Sequence, residues 1–375
     1  MMSSRDAQTV LIIGGGVAGS SCAIGLRQRG IEVTVVEKAV YPRDKVCGCC
    51  IGGNGLAALQ KLSLHEWALD VGESTHQWSG SLGGQLVEIP LPRGIAISRQ
   101  SLDEKLLQHA VKLGADARQP STVSSVSIHP DSVTAEIETN GITVKREFAL
   151  VIVASGLNSG GYQDILPWSE PPNGPFGVSW TAESDSIEPG VIYMACDNDG
   201  YVGLVQLENG RVDIAAALTS GSGAASGGTP VTRVESILSR SEFPKWSFHN
   251  PSQVLTTPPL RRSRVAGKGR VLAIGDAAGY VEPFTGEGMT WAMQSGIAAA
   301  DQIAAACNTS TSPDISQVGD LWDHHLQRLL KSKKRTCRIV TSMLRRPIAR
   351  HAAGHMLSRW PSLAKPLIQK LSEAT

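Results

Sequence analysis

A glycine cluster near the amino end has the spacing of a dinucleotide-binding turn. Gly14, Gly16 and Gly19 follow an apolar run and precede a helical stretch. Gly14 allows a tight turn, Gly16 lets the backbone approach a pyrophosphate, and Gly19 lets the helix pack closely on the strand. Glu37 stands 18 residues after Gly19, where a carboxylate accepts from both ribose hydroxyls and repels a 2′-phosphate. This unit predicts binding of an adenosine diphosphate group, and it does not distinguish FAD from NAD as the molecule that carries it.

A second glycine-rich turn lies far along the chain and favours FAD. Asp276 follows an apolar run at a tight turn, where its carboxylate can accept from a ribityl hydroxyl. Pro283 comes next, and Gly286 and Gly288 open a helix whose N–H groups would face the flavin ring or a phosphate. The two turns together predict one FAD site.

The stretch from Arg270 to Met289 resembles the second FAD fingerprint of a flavoprotein superfamily. This superfamily holds aromatic hydroxylases (group A flavoprotein monooxygenases), flavin halogenases and geranylgeranyl reductases, and the residues Pro-Phe-Thr-Gly-Glu-Gly are most similar to the geranylgeranyl reductase branch. The resemblance implies that Arg43 lies near the pyrophosphate, that Cys47 lies near the isoalloxazine, and that Arg99 contacts the flavin. It also implies a substrate sheet over the flavin.

Three departures from the superfamily pattern bear on the substrate and the reaction. Ser155 stands where an acid is common, which weakens the inference of reduction by NADPH in the manner of aromatic hydroxylases. The stretch that begins at Tyr201 has Gly203 in place of the Trp of the geranylgeranyl reductases, so the pocket is expected to be remodelled. The halogenase-like run 71–75 lies some thirty residues too late, and we interpret it as coincidence.

The only side chain singled out for catalysis is Cys47. In this superfamily the flavin performs the chemistry, so few protein groups need to be catalytic. The Cys47 thiol could donate a proton to a carbon opposite the hydride, or it could only shape the pocket. Cys49 and Cys50 are interpreted as small buried side chains, and three cysteines within four positions cannot close a tetrahedral metal site, so no metal is expected.

The periodicity of the sequence predicts an α/β fold with three parts. A Rossmann-type FAD-binding domain carries an inserted, mostly antiparallel β-sheet substrate domain and is followed by a C-terminal helical segment. The predicted ranges are 1–75, 98–165 and 265–307 for the discontinuous FAD-binding domain, 76–97 and 166–264 for the substrate-binding sheet domain, and 308–375 for the basic C-terminal helical segment.

The overall charge of +1 conceals a strongly basic end. Residues 328–375 contain twelve Lys and Arg and one acid, Glu373, so the rest of the chain is acidic. These short helices either pack on the acidic body of the same molecule or bind anionic lipid peripherally. The near-neutral total gives no reason to expect nucleic acid as a partner. An odd number of cysteines and no signal-peptide core at the start predict a cytoplasmic setting.

These features predict an FAD-dependent oxidoreductase that acts on a hydrophobic small molecule. The favoured reaction is reduction of a double bond in an isoprenoid-like or lipid substrate, with NADH or NADPH as the candidate electron donor. The alternative is a monooxygenase that hydroxylates an aromatic or quinone-like lipid. A non-catalytic flavin electron-transfer module is a further alternative, although such a module would not need a substrate sheet.

Overall fold

The chain contains both helices and strands, as expected for an α/β protein. The computed structural model describes residues 9–157, 162–220, 228–282, 284, 286–308 and 314–372. The α-helices are α1 (Val17–Arg27), α2 (Gly53–Lys61), α3 (His65–Val71), α4 (Arg99–Lys112), α5 (Pro230–Ser239), α6 (Gly288–Asn308), α7 (Val318–Leu344), α8 (Pro347–Arg359) and α9 (Lys365–Ser372). The strands are β1 (Val10–Ile13), β2 (Val33–Val36), β3 (Cys50–Ile51), β4 (Glu73–Leu82), β5 (Leu86–Ala96), β6 (Asp116–Arg118), β7 (Thr122–Ile128), β8 (Val133–Thr139), β9 (Ile142–Phe148), β10 (Leu150–Val153), β11 (Trp168–Ala182), β12 (Val191–Asp197), β13 (Gly200–Gln206), β14 (Val212–Leu218), β15 (Leu255–Arg264), β16 (Gly267–Lys268), β17 (Val271–Ala273) and β18 (Gly279–Tyr280).

A six-stranded sheet positions both glycine-rich turns. Its strand order is β16-β17-β10-β1-β2-β6, and all pairs except β16 with β17 are parallel. The strands β1, β10 and β17 are buried along their whole length, as apolar runs are when both faces of a parallel sheet are covered. Because the carboxyl ends of parallel strands meet at one edge, the turns that follow β1 and β17 lie together there.

A nine-stranded sheet follows the order β18-β15-β11-β14-β13-β12-β4-β5-β3, and only β12 with β4 is parallel. The sheet is therefore mostly antiparallel, as predicted. A third sheet joins β7, β8 and β9. The alternation of apolar and polar residues over 122–137 predicts one continuous strand, whereas the structure has two, β7 and β8, joined by a turn at 129–132. Pro130 has no N–H to donate to a strand ladder, and the N–H of His129 donates to the carbonyl of Ser132 at 2.8 Å.

The basic end does not consist of short helices alone, because a long helix leads into it. Helix α7 runs for 27 residues before Pro347, because the residues from 318 to 344 contain neither proline nor a helix-breaking glycine cluster. The buried indole of Trp322 donates from Nε1 to the carbonyl of Ala273 at 2.7 Å and anchors α7 to the parallel sheet. At its other end Leu344 packs with Leu82 of the nine-stranded sheet.

The predicted fold class is confirmed by these sheets and by the C-terminal helices, while the domain ranges stay a prediction. Within the described residues, no helix is long and apolar enough to cross a membrane.

Candidate functional site

The first glycine turn joins β1 to α1 and leaves room for a ligand at one position. Gly14 has φ +109°, and a Cβ there would lie 2.4 Å from the carbonyl oxygen of Ala154. A Cβ at Gly19 would lie 1.9 Å from the carbonyl oxygen of Gly14, so the helix packs directly on the turn. At Gly16 the nearest atom to an added Cβ is Asp103 Oδ2 at 3.9 Å. Gly16, the N-cap of α1, thus faces open space, which fits a pyrophosphate at the helix end.

The carboxylate of Glu37 is buried and holds this turn. Its Oε2 accepts from the N–H of Gly15 at 2.7 Å, and its Oε1 accepts from the N–H of Ala39 at 2.9 Å. Each carboxylate oxygen has two lone pairs, so both keep capacity for a ribose hydroxyl. The guanidinium of Arg43 lies 4.0 Å from Oε1 and 5.2 Å from the centre of the Tyr41 ring. Glu37 and Arg43 both line the same large cavity.

The second glycine turn meets the first at this cavity. Strand β17 leads into a 3₁₀ turn over Gly275–Ala278, where Gly275 has φ +58°. A Cβ on Gly275 would lie 2.7 Å from the Cβ of Ala18, so the two turns are packed against each other. Asp276, Gly286 and Gly288 line the cavity together with Gly14 and Gly16. Pro283, the remaining residue predicted in this fingerprint, lies outside the described residues.

A buried ion pair places Arg99 at the wall of the cavity. Arg99 begins α4, and its Nε and Nη2 donate to Oδ1 and Oδ2 of Asp103 at 2.8 and 2.7 Å. Both side chains are buried, and a bidentate ion pair of this kind fixes the orientation of the guanidinium plane. The guanidinium also contacts the sulfur of Cys47.

The thiol of Cys47 lies in an electrostatic setting that favours its anion. The Cys49 thiol donates toward Cys47 Sγ, the N–H of Cys49 lies 3.4 Å from that sulfur, and Arg99 adds positive charge. These contacts outweigh burial and lower the pKa of Cys47 from 9.0 to about 6. The thiol of Cys50 is different, because burial raises its pKa.

Sequence reasoning missed an acid beside these cysteines. Asp213 is buried in β14 and lines the cavity, and the Cys49 thiol lies within hydrogen-bonding reach of its carboxylate. Burial, reinforced by the charge of Cys47, raises the pKa of Asp213 well above its ordinary value. The signal was present in the sequence, since Asp213 interrupts the otherwise apolar run 212–218. A lone acid in a buried strand is costly and therefore marks a special environment.

Beyond these groups the cavity becomes apolar. Its volume is about 790 Å³, within the range of about 300–1,000 Å³ that is typical of ligand sites. Trp78, Met194 and Tyr201 line it from the nine-stranded sheet, while Leu344 and Leu357 line it from α7 and α8. The cavity therefore runs from the glycine turns to the C-terminal helices.

Gly203 gives this apolar part of the cavity its width. It lies on β13 and lines the cavity, and the nearest atom to an added Cβ is Met194 Cε at 3.5 Å. A bulky residue here would extend from the cavity wall beside Met194. The halogenase-like run 71–75 is not among the lining residues; it spans the end of α3 and the start of β4. Within the described residues no group of three His, Cys, Asp or Glu side chains could hold a metal ion.

The chain matches the FAD binding domain family over residues 7–316 and belongs to that family. It is 28% identical over 333 residues to menaquinone reductase of Mycobacterium tuberculosis, covering 80% of this chain and 77% of the relative. It is 25% identical over 319 residues to digeranylgeranylglycerophospholipid reductase 2 of Methanothermobacter thermautotrophicus, covering 79% and 78%.

Solved structures share the fold. p-Nitrophenol 4-monooxygenase PnpA from Pseudomonas putida superposes with a TM-score of 0.79 at 16% identity, covering 97% of this chain and 98% of that one. The flavin-dependent brominase Bmp2 also gives 0.79, at 18% identity, covering 97% and 92%. The predicted superfamily and FAD as cofactor are confirmed, and the chain is an FAD-dependent oxidoreductase.

Proposed function

We propose that the protein reduces a carbon–carbon double bond of an isoprenoid- or quinone-type lipid held in the apolar part of the cavity. The observation that carries this proposal is the cluster of Cys47, Cys49 and Asp213 at the junction between the FAD end and the apolar end. The names of the reductase relatives, which act on a menaquinone and on a geranylgeranyl lipid, support this substrate class.

Reduction of a double bond requires a proton at one carbon and a hydride at the other. FAD, when bound, supplies the hydride, and we propose NADH or NADPH as the source of its electrons. The proton comes from the Cys47 sulfur in this proposal. With a pKa of about 6, Cys47 is mostly thiolate at pH 7, so in this proposal it donates only after it has been protonated by its neighbours.

Asp213 and Cys49 would restore the proton on Cys47. Burial raises the pKa of the Asp213 carboxyl and so favours its protonated form, and the Cys49 thiol lies within hydrogen-bonding reach of both Asp213 and Cys47. Cys49 has one thiol proton, which it directs either to Cys47 or to Asp213. A transfer from Asp213 to Cys49, coupled to a transfer from Cys49 to Cys47, leaves Cys49 unchanged and Cys47 protonated.

The FAD-binding part of the proposal rests on the two glycine turns. The open space at Gly16 accommodates a pyrophosphate, Glu37 would hold the ribose, and Asp276 would hold the ribityl chain. Arg43 and Arg99 would add positive charge at the phosphate and the ring. The apolar wall near Trp78 would exclude water from the reacting carbons.

Hydroxylation by a flavin monooxygenase is the second candidate. It is favoured by the relative 6-hydroxy-3-succinoylpyridine 3-monooxygenase of Pseudomonas putida, which is 23% identical over 338 residues and covers 83% of each chain. The apolar lining of the cavity would also protect an oxygenated flavin from water. A bare electron-transfer module gains no support from a cavity of about 790 Å³.

Anaerobic turnover distinguishes these functions. The purified flavoprotein is reduced with NADH, NADPH or dithionite and mixed with menaquinone or a geranylgeranyl lipid in detergent, first without oxygen and then in air. After any quinol has been reoxidised to the quinone, we expect a product whose isoprenoid chain is two hydrogens heavier in the reaction without oxygen. A hydroxylated product that appears only in air would replace reduction by hydroxylation, and electron transfer to an acceptor with no change of lipid would support the module.

The role of the acid–thiol cluster is tested with Cys47→Ser and Asp213→Asn. We expect both variants to keep FAD and to lose at least tenfold in turnover, because each removes a proton carrier. Cys307→Ser and Asp116→Asn are the matched controls, since both original side chains are exposed and neither lines the cavity. Normal turnover in both cluster variants would show that these side chains only pack in the cavity wall and do not carry protons.

A further inference from the structure

The C-terminal helices expose an unusual amount of apolar surface. Ile348 is 88% exposed and Trp360 is 58% exposed. Side chains three to four positions apart share one side of a helix, so Ile339 and Met343 lie on one side of α7. Six large apolar side chains within 25 residues define what we call the outer apolar patch: Ile339, Met343, Ile348, Met356, Trp360 and Leu363.

Nine of the basic residues of this segment fall into two sets. Arg345 forms an ion pair with the buried Glu282, and Arg350 donates to Leu344 O at 3.0 Å and to Asn198 Oδ1 at 2.9 Å. These inward-facing residues join the helices to the rest of the molecule. The second set, which is exposed, consists of Arg328, Lys331, Arg335, Arg338, Arg346, Arg359 and Lys365. No Asp or Glu occurs between residues 328 and 372, so the exposed surface of this segment is cationic.

The same helices form the wall of the cavity on their other side. Leu344 of α7 and Leu357 of α8 line it, and both are at least partly buried. Met343, a member of the outer apolar patch, both lines the cavity and is 38% exposed, so one side chain contacts both the cavity and the surface.

We propose that the outer apolar patch and its surrounding basic residues dock the protein on an anionic lipid bilayer. Ile348, Met356, Trp360 and Leu363 would lie at the boundary between headgroups and acyl chains, where Trp is favoured. The exposed Arg and Lys side chains would contact the anionic headgroups. Docking would bring a membrane-dissolved substrate close to Met343. Delivery of that substrate is the one part of the inference that rests on the proposed function.

A second copy of the chain fits this surface less well. Two copies that met through the same patch would bring their exposed cationic residues together across the contact, and such like-charge juxtaposition is unfavourable. An anionic bilayer instead compensates the positive charge and buries the apolar side chains. Charge complementarity therefore selects the bilayer.

Vesicle sedimentation tests this assignment with the full-length flavoprotein. We expect co-sedimentation with phosphatidylglycerol-containing vesicles at low salt, weaker binding as salt rises, and little binding to pure phosphatidylcholine vesicles. The variants I348S/W360S and R346E/R359E should each weaken binding at least tenfold. The control Ile142→Ser changes a residue of β9 that is 68% exposed and should bind as the wild type does.

Trp360 supplies a direct readout of contact. Vesicles with brominated acyl chains should quench part of the tryptophan fluorescence of the wild type, and Trp360→Phe should abolish that part. No sedimentation at low salt, an equal loss in Ile142→Ser, or a patch-dependent dimer without lipid binding would overturn the proposal.

The outcome is separable from that of the proposed function. Double-bond reduction in detergent with no vesicle binding would refute only the docking surface. Vesicle binding that depends on the patch, without reduction of any lipid, would refute only the reaction.

Discussion

The anionic state of Cys47 has a measurable consequence for its reactivity. A pKa of about 6 makes about 90% of Cys47 thiolate at pH 7, whereas an ordinary thiol with a pKa of 9.0 would be about 1% thiolate. The rate of alkylation of Cys47 by iodoacetamide, followed by peptide mass spectrometry on the flavoprotein, should therefore rise with pH around a midpoint near 6. This rate reports the thiolate directly because only the anion reacts.

The decisive perturbation is Cys49→Ala. Its thiol is the largest cause of the low pKa of Cys47. A hydrogen bond to a charged group contributes about 1.5–3 kcal/mol, and about 1.4 kcal/mol corresponds to one pH unit. The alkylation midpoint should therefore move from about 6 to between about 7 and 8. The backbone N–H at position 49 and Arg99 remain, so the return to 9.0 should be incomplete.

Two further variants make this test specific. Cys49→Ser keeps a donor at the same position and should leave the midpoint much closer to that of the wild type. Cys50→Ala removes the adjacent thiol, which is not among the groups that lower the pKa of Cys47, and should leave the midpoint unchanged. A wild-type midpoint near 9, or an equal displacement in Cys49→Ala and Cys50→Ala, would refute the electrostatic reasoning.

Three other changes have defined outcomes. Gly14→Ala should lower both the flavin absorbance per chain and the Tm, because the new Cβ would lie 2.4 Å from the Ala154 carbonyl oxygen. Gly30→Ala is the control: Gly30 also has a positive φ, but a Cβ there would meet nothing within 4 Å. Its effect on the Tm should therefore be smaller, and its flavin content should be normal. Gly203→Trp should fill the apolar cavity and reduce turnover of long lipids while FAD content stays at one per chain. Trp322→Phe should lose about 1–3 kcal/mol in the free energy of unfolding, measured with denaturant, because the Ala273 carbonyl loses its buried donor.

The dinucleotide turn was predictable because its requirements are local. The spacing of Gly14, Gly16 and Gly19 determines a strand–turn–helix unit without knowledge of any distant residue. The contact between Asp213 and Cys49 was not predictable in this way. It depends on how β14 is placed against a loop more than 160 residues earlier, and no spacing rule spans that separation.

The length of α7 was missed for a different reason. The prolines at 347, 361 and 366 correctly limit α8 and α9, but they say nothing about the uninterrupted stretch before Pro347. The inward and outward division of the basic residues also required the structure. Arg345 and Arg346 are adjacent in sequence, yet only Arg345 reaches Glu282.

The placement of β17 beside β10 affects when the protein can acquire its cofactor during synthesis. The sheet joins residues near positions 10, 150 and 270, and the two glycine turns belong to its first and last of these strands. A ribosome-bound chain that ends before residue 288 therefore lacks one side of the FAD site, although the residues of the first glycine turn have already been synthesised. FAD binding is consequently a late event that couples the two ends of the chain, and contacts of such long sequence separation slow folding. Chains made under flavin limitation should accumulate without FAD. In that form both glycine turns should be less stable, since a ligand stabilises only the folded state that binds it.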